Sequence, residues 1–406
     1  MGATIDAGRL RRRLEALGQI GGTPGGGVTR MSYRAEHAAA VRLAAEWMRE
    51  AGAAPAVDAW GNLHGLVPGA DSARPPVAAG SHLDTVPNGG IFDGGLGVVA
   101  AIEAAQAVRE AGGRPARPLL LLAFAEEEGT SFGVGCLGSL GVTGRAPAPE
   151  TIYDREGVTA AARLRAFDPG LERAPVPEAM AAYLELHIEQ GPMLASRGAL
   201  LAAVEAIVGI ARAEFTFRGQ ANHAGTTPMD ARRDALWGAA DLVARVRELG
   251  RDSGGRAVAT VGRLAVAPGA TNVVPGEAVM TVEARSADAA VLEGLRAAVE
   301  QAARACAERF GLEVTAGGWR AEPPLPLDAG VRAAVVAAAG DLGWPITTMP
   351  SWAGHDAKIL GMRVPSGMIF VPSERGISHS PEEHTSWDDA ARGAQVLCRA
   401  LERLAG

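Results

Sequence analysis

The sequence predicts an α/β protein of two domains, with the second domain inserted into the first. A chain of 406 residues is long for a single hydrophobic core, since such cores stop growing at about 250–300 residues. Helix-like and strand-like segments alternate along most of the chain. Residues 208–322 give the order β-α-β-β-α-β, which is the pattern of a split βαβ fold. We therefore assign residues 1–207 and 323–406 to one domain and residues 208–322 to the other.

Composition excludes several classes of function. The net charge of -7 argues against non-specific binding to nucleic acid. No run of 18 apolar residues is present, so we expect no membrane span, and we find no signal peptide. The three cysteines, Cys136, Cys306 and Cys398, are scattered and odd in number, which favours a reducing compartment over a disulfide framework. We expect a soluble cytoplasmic protein.

Helices of the first domain are predicted from apolar periodicity and from glycine breaks. They cover residues 5–20, 34–52, 95–112, 328–342 and 387–404. Strands are predicted as a hairpin over 55–67 and as segments 76–80, 118–125, 182–192 and 366–371. The segment 118–125 is nearly unbroken in apolar residues, as in a strand buried on both faces of a parallel sheet. Residues 141–181 are expected to form loops and short helices.

In the inserted domain, strands are predicted over 211–218, 257–267, 277–285 and 312–319. Two helices connect them. Asp230 is the expected N-terminal cap of a helix that runs to Gly250, and Ser286 is the expected cap of a helix that runs to Phe310. Together these elements complete the split βαβ order.

Polar side chains follow several of the predicted strands. His82 and Asp84 are two residues apart, so at an extended strand end they point the same way. This geometry suits a metal-ligating histidine whose other ring nitrogen is held by a carboxylate, although a polar turn after a strand is the favoured explanation of the motif taken by itself. Asp93 follows after a glycine-rich loop.

Three adjacent carboxylates, Glu126 to Glu128, end the apolar run 118–125. They repel one another unless a cation lies nearby, and the alternative is a solvated acidic loop. His187 ends another predicted strand, and His379 follows the last one. Because ligands of open α/β sheets gather at the carboxyl ends of strands, these side chains can converge.

The converging set comprises three histidines and two or three carboxylates: His82, Asp93, Glu127 or Glu128, His187 and His379. It fits two divalent ions about 3.5–4 Å apart with a bridging carboxylate. Imidazole and carboxylate ligands suit zinc, and also manganese, cobalt or nickel.

Five segments of the sequence resemble the motifs of a known family. The segments Gly-Ser-His-Leu-Asp-Thr-Val-Pro-Asn-Gly-Gly-x-x-Asp-Gly, Glu-Glu-Glu-Gly, Glu-Leu-His-Ile-Glu-Gln-Gly-Pro, Asn-His-Ala-Gly-Thr-Thr-Pro-Met and Gly-Ile-Ser-His-Ser-Pro-Glu-Glu are similar to those of the dinuclear-metal amidohydrolases related to aminoacylase and carboxypeptidase G. The resemblance is to the branch of N-carbamoyl-L-amino-acid hydrolase, β-ureidopropionase and allantoate amidohydrolase, and covers nearly the whole chain. It implies a mixed-sheet, metallopeptidase-like catalytic domain, an inserted lid and dimerisation domain, and a homodimer.

The resemblance also implies roles for the ligand set. Asp93 is expected to bridge two divalent ions. His82 and His187 are expected to ligate one ion each, with Glu128 and His379 completing the two shells. Glu127 is the expected general base, and Asp84 is expected to orient His82.

In the inserted domain, the resemblance implies three substrate residues. His223 is expected to reach the active site of the partner subunit and stabilise the oxyanion. Arg285 is expected to clamp the substrate carboxylate, and Asn272 is expected to contact the substrate. Gln190 and the loop at Gly354 and His355 are expected to line the pocket. The alternatives are that Arg285 is a surface arginine at a strand edge and that His223 is a loop histidine in a tight turn.

Ser131 departs from the branch, which usually carries an arginine at this position. The departure leaves the metal ligands untouched and puts the substrate in doubt. We predict hydrolysis of a linear C–N bond, in an N-carbamoyl amino acid or in allantoate. A peptidase or N-deacylase is the alternative, and a non-catalytic binding protein is the remote one, although it would be expected to have lost ligands or the base.

Overall fold

A computed structural model describes residues 2–406 and divides them into two compact units. The first unit runs to Glu205 and resumes over Leu327–Met349 and Ala353–Gly406. The second unit comprises Ala206–Pro326 together with Pro350–Trp352. The roles that the sequence analysis gives to the two domains remain predictions.

The first unit is built on a mixed sheet. Its strands are Ala54–Val57, Leu63–Val67, Val77–His82, Leu119–Phe124, Ala182–Ile188, Ala202–Ile207, Leu325–Pro326, Thr347–Ser351 and Ser366–Val371, counting those that link the units. At its centre, Val77–His82 pairs in parallel with Leu119–Phe124 and with Ala182–Ile188, which in turn pairs in parallel with Ser366–Val371. The hairpin Ala54–Val57 and Leu63–Val67 joins antiparallel at one side. The four central strands are buried throughout, so both faces of the sheet are covered.

Helices of the first unit cover this sheet. They are Ala7–Gln19, Ala35–Glu50, Gly95–Glu110, Leu137–Val142, Ala160–Ala166, Met193–Arg197, Ala329–Asp341, Asp356–Leu360 and Trp387–Ala405, with a 3₁₀ turn at Glu374–Gly376. Gly95–Glu110 is buried from Gly95 to Val108. Its close approach to the sheet requires glycine at 97, because a Cβ there would lie 2.4 Å from the carbonyl oxygen of Leu186.

The second unit has the predicted split βαβ arrangement. Its main strands are Gly209–Arg218, Ala257–Ala267, Glu277–Ser286, Glu313–Ala316 and Arg320–Glu322, and its helices are Ala235–Asp252 and Ala289–Arg309. The main strands form an antiparallel sheet in which Gly209–Arg218 and Glu277–Ser286 are central. Residues alternate in burial along Glu277–Ser286, as in a sheet with one face on a core. Both helices pack on this sheet, and their apolar residues join its buried face in a separate core.

Both predicted caps of the second unit are wrong. Asp234, not Asp230, caps the first helix, with its side chain accepting from the Leu236 amide. Asp230 lies in a short 3₁₀ turn, Met229–Ala231. Asp288, not Ser286, caps the second helix. In each case an aspartate nearer the first helical turn takes the bond.

Several short elements were not predicted. The helix Asp356–Leu360 begins inside an expected loop, and a two-residue ladder pairs Asn222–His223 with Val273–Val274. Over residues 2–406, no helix combines the length and apolar character that a bilayer span requires.

Candidate metal centre

The candidate ligands lie at one edge of the central sheet. His82 is the last residue of its strand, the three glutamates follow the neighbouring parallel strand, and His187 lies near the end of the next. Parallel strands bring their carboxyl ends to the same edge. Gly94 allows Asp93 to approach this edge, since its φ is +64° and a Cβ there would lie 2.4 Å from the imidazole of His82. A side chain at position 94 would therefore displace His82.

Asp93 joins two groups of ligand atoms. Its Oδ1 lies 3.4 Å from His82 Nε2 and 3.2 Å from His187 Nε2. Its Oδ2 lies 3.3 Å from His379 Nε2, which is 3.4 Å from Glu128 Oε1. The structure therefore places His82 and His187 on the same oxygen of Asp93, whereas the sequence analysis assigns one histidine to each ion; which ion each histidine would ligate stays a prediction.

Glu127 lies beside the first group, with Oε2 3.9 Å from His82 Nε2. Asp84 holds this loop: its two carboxylate oxygens accept from the amides of Glu127 at 3.1 Å and Glu128 at 3.2 Å. The Nδ1 of His82 is 3.0 Å from the main-chain oxygen of Asp84 and 3.8 Å from Oδ1. His82 is thus oriented by a carbonyl, and the Asp84 carboxylate fixes the glutamates instead.

The expected pocket residues contact the ligand set more directly than expected. Gln190 Nε2 donates to Asp93 Oδ2 at 2.8 Å. His355 is buried, with its ring centroid 4.5 Å from that of His187, and forms a third potential ligand group with His187 and Glu185. Gly354 is exposed. His355 therefore packs against the proposed ligand His187, and its part in lining the substrate pocket stays a prediction.

Sequence reasoning missed Ser378 and Glu383. Ser378 Oγ lies 3.0 Å from Asp93 Oδ2 and 2.9 Å from Glu383 Oε2. Glu383 is buried, and its Oε1 accepts from the main-chain amides of Phe92 and Asp93. Both residues belong to the Gly-Ile-Ser-His-Ser-Pro-Glu-Glu segment, which also contains His379. Their place in this motif is the sequence signal that could have identified them.

The electrostatics of this cluster favour cations. Burial and the charge of Asp93 raise the pKa of Glu128 to about 7, and burial also raises the pKa of Glu127. Burial would lower the pKa of His82, but the Asp93 carboxylate 3.4 Å from its Nε2 and the charge of Glu127 outweigh that effect and raise it. The hydrogen bond to Asp93 raises the pKa of His379 to about 9. Each shift has the direction expected where positive charge is needed among carboxylates.

Three buried atoms of the cluster have no hydrogen-bond partner among the described residues: Asp93 Oδ1, Glu128 Oε1 and His187 Nε2. Such orphaned polar atoms are costly unless a ligand satisfies them. Imidazole nitrogens and carboxylate oxygens are donors that zinc and related divalent ions accept. The residues present therefore fit a pair of divalent cations that share Asp93.

The three expected substrate residues of the second unit are not gathered into a buried cluster as the proposed metal ligands are. His223 and Asn272 are exposed and adjacent, because the Ala224 amide donates to the Asn272 carbonyl and His223 pairs with Val273. Arg285 lies on the strand Glu277–Ser286 and donates from Nε to Glu283 at 2.7 Å and from Nη1 to the Trp352 carbonyl at 2.8 Å.

Comparison with known proteins identifies the family. The model of Peptidase family M20/M25/M40 matches residues 78–403. The chain belongs to this family. Its members share hydrolysis of C–N bonds, and the chain is a hydrolase of that kind. The mixed α/β fold with an inserted domain is confirmed.

The chain is similar to several curated enzymes over most of their length. The N-carbamoyl-L-amino acid amidohydrolase of Geobacillus stearothermophilus is 39% identical and covers 99% of this chain and 99% of its own length. The allantoate amidohydrolase of Escherichia coli (strain K12) is 35% identical, with coverage of 98% and 97%. The ureidoglycolate hydrolase of Arabidopsis thaliana is 33% identical, with coverage of 99% and 87%.

A solved structure agrees with this picture. The amidase of the hydantoinase/carbamoylase family from Burkholderia multivorans superposes with a TM-score of 0.94 at 34% identity, covering 99% of this chain and 98% of its own. The predicted resemblance to the carbamoyl-amino-acid and allantoate branch is therefore confirmed.

Proposed function

We propose that this protein is a metal-dependent amidohydrolase that cleaves the ureido C–N bond of an N-carbamoyl-L-amino acid or of allantoate. One observation carries the proposal: two groups of ligand atoms share the two oxygens of Asp93, with Glu127 beside them. The names of the most similar relatives support a ureido substrate.

In this proposal His82, Asp93 and His187 would hold one divalent ion, and Asp93, Glu128 and His379 would hold the other. Zinc suits these donors, as do manganese, cobalt and nickel. When bound, two such ions lower the pKa of a water and polarise the substrate carbonyl. Gln190 and Ser378 restrain Asp93 by hydrogen bonds to Oδ2.

Glu127 is the proposed general base. It takes a proton from the attacking water and delivers it to the leaving nitrogen, and its raised pKa suits a group that both accepts and donates a proton near neutral pH. Asp84 fixes the main chain of Glu127 through its amide. The base is thereby held at the edge of the ligand cluster, where its side chain is only partly exposed to solvent.

Residues of the second unit are proposed to bind the substrate. Arg285 uses Nε and Nη1 within its own unit, which leaves its Nη2 group for a substrate carboxylate. His223 and Asn272 are proposed to stabilise the oxyanion and orient the ureido group, with His223 serving the partner subunit of a homodimer.

The second unit also supports the homodimer. Within residues 2–406 the long strand Ala257–Ala267 is paired on one side only, with Glu277–Ser286. Val258 and Leu264 on this strand are exposed. An unprotected edge of this kind is a template for pairing with another copy.

The three free cysteines support a reducing, cytoplasmic location.

The test is a substrate panel on protein loaded with zinc, manganese, cobalt or nickel. We expect release of ammonia and carbon dioxide from N-carbamoyl-L-amino acids or allantoate, and much slower turnover of N-acyl amino acids and dipeptides. Preferred turnover of dipeptides or N-acyl substrates would favour the peptidase or N-deacylase alternative. Failure to bind any divalent ion would contradict the metal-dependent mechanism.

A further inference from the structure

Cys136 contacts the proposed base at two points. Its main-chain amide donates to the carbonyl of Glu127 at 2.8 Å, and its Sγ donates to Glu127 Oε1 at 3.4 Å. One residue therefore holds both the backbone and the carboxylate of Glu127. The other carboxylate oxygen, Oε2, is the one that faces His82.

The backbone of Cys136 is unusual. Its φ of +56° and ψ of +31° are left-handed, which is uncommon for a residue with a Cβ. Neighbouring hydrogen bonds hold it there, since the amides of Leu137 and Gly138 donate to the carbonyls of Glu126 and Ala125. The segments 125–127 and 136–138 are thus bonded residue by residue, and the conformation directs the thiol at the base.

A buried pair fixes the other side of Cys136. Ser139 Oγ lies 3.1 Å from the Cys136 carbonyl and 2.5 Å from Asp356 Oδ1. Burial and the charge of Glu185 raise the pKa of Asp356. Ser139 Oγ lies within donating distance of both the Asp356 carboxylate and the Cys136 carbonyl. Asp356 follows His355 as the first residue of the helix Asp356–Leu360 and has no role in the mechanism proposed above.

The thiol is suited to donate. Burial and the charge of Glu127 raise the pKa of the Cys136 thiol, so the sulfur keeps its proton at neutral pH. A thiol is a weak donor, and a weak bond to one oxygen restrains the carboxylate without neutralising it.

We infer that Cys136 is a positioning residue for Glu127: its thiol restrains Oε1, so that Oε2 stays free to accept the proton. The inference rests on the proposed role of Glu127 as base. The hydrogen bond itself can be measured without substrate, so failure of the inference and failure of the proposed function are distinguishable.

The first test is infrared spectroscopy of the S–H stretch in metal-free protein. The difference spectrum between the wild type and Cys136→Ala isolates the band of this thiol from those of Cys306 and Cys398. We expect the band to move to higher frequency in Glu127→Ala, because the acceptor is gone. A band unchanged by Glu127→Ala would overturn the inference, whatever the substrate proves to be.

The second test is kinetic. Cys136→Ala is expected to lower kcat about threefold to tenfold, the range for a net loss of one hydrogen bond, with KM and metal content unchanged. Cys136→Ser keeps a donor and is expected to restore most of the lost activity. Cys306→Ala, a cysteine in the second unit, is the matched control and should leave kcat unchanged.

A double-mutant cycle separates positioning from general damage. In Glu127→Asp the carboxylate is one methylene shorter and withdraws from the thiol, so Cys136→Ala should cause no further loss of kcat there. An equal loss in both backgrounds would mean that Cys136 does not act through Glu127. If no substrate of the panel is turned over, the infrared band alone decides.

Discussion

His82 and His187 are each 1% exposed, on buried strands of the first unit, and meet at one oxygen of Asp93. In the second unit, by contrast, His223 and Asn272 lie on the surface, His223 on a ladder only two residues long and Asn272 directly before its partner strand. The first group is assembled by a buried sheet. The second is held by a short exposed ladder, and none of the potential metal-ligand groups among the described residues includes His223.

This contrast indicates a division of tasks. A buried, preassembled cluster suits ion binding, for which geometry must be fixed in advance. Exposed donors suit a task that begins when substrate or a partner subunit arrives. We therefore expect changes in the first unit to alter metal binding or chemistry, and changes in the second unit to alter substrate turnover while metal binding stays constant.

The largest effect is expected for Glu127→Gln. Loss of a general base lowers kcat by about 10²–10⁴, while the metal content should stay unchanged. Glu126→Gln is the matched control, because the oxygen of Glu126 that accepts from the Ser131 and Phe132 amides is kept in an amide. Near-normal kcat in metal-loaded Glu127→Gln would remove the base assignment.

His223→Ala should follow, with kcat lowered by about 10²–10³ for loss of an oxyanion donor and metal content unaffected. Mixing inactive Glu127→Gln and His223→Ala dimers should restore turnover after subunit exchange, since a mixed dimer has one complete site if His223 acts across the interface. Absence of any restored turnover would mean that His223 serves its own subunit. An altered metal content in His223→Ala would contradict the separation of metal binding in the first unit from substrate turnover in the second.

Arg285→Lys is expected to raise KM by roughly tenfold or more, because it removes the Nη2 donor, and a charge-assisted hydrogen bond contributes about 1.5–3 kcal/mol. The value of kcat should change less. Substrates without a carboxylate provide the control, since their KM should be the same for both proteins. Equal loss with both kinds of substrate would show that the change disturbs the strand and not recognition.

Metal binding should release protons from the first unit alone. Hydrogen bonding to Asp93 raises the pKa of His379 to about 9, so at pH 7 an incoming ion displaces its proton, and affinity should rise with pH toward 9. Conversely, charged His379 stabilises the metal-free fold at pH below its ordinary value of 6.5, and that contribution is lost as pH rises through about 9. Calorimetry in buffers of different ionisation enthalpy measures the protons, and His223→Ala should leave their number unchanged.

The smallest expected effect is on the stability of the second unit, through the cap of one helix. Asp234→Ala removes the cap of Ala235–Asp252 and should lower the free energy of unfolding by about 1 kcal/mol. Asp230→Ala, in the neighbouring 3₁₀ turn, should change it by less than about 0.5 kcal/mol. Urea denaturation checks both values. Equal effects would show that the observed cap contributes nothing, and neither variant should change metal content.

Long, strongly patterned elements were predicted well from the sequence. The strand Ser366–Val371 has the predicted bounds, and the final helix begins at Trp387 as predicted, after a Ser386 cap. The two wrong caps have a simple cause: several residues near each helix start can accept the bond, and the local backbone decides which one does. A two-residue ladder and a five-residue helix carry too little periodicity to predict.

The ligand set could be named from strand ends, but its grouping could not. Which residues share an oxygen of Asp93 depends on strand order and on the turn at Gly94, and neither can be read from spacing along the chain. The carboxylate of Asp84 illustrates the same limit. Its position two residues after His82 predicted a contact with the ring, whereas in the fold the adjacent strand brings the Glu127 and Glu128 amides closer.

The parallel pairing of Tyr183–Ile188 with Ser366–Val371 has a consequence for biosynthesis. The ribosome must make the whole second unit before the last central strand and His379 emerge. Until then a nascent chain carries His82, Asp93 and His187 without their full complement, and the sheet has an open edge beside them. This non-local closure is slow compared with helix formation. Metal acquisition should therefore be a late, post-translational event, and the unfinished edge is the stage at which the chain most needs protection from aggregation.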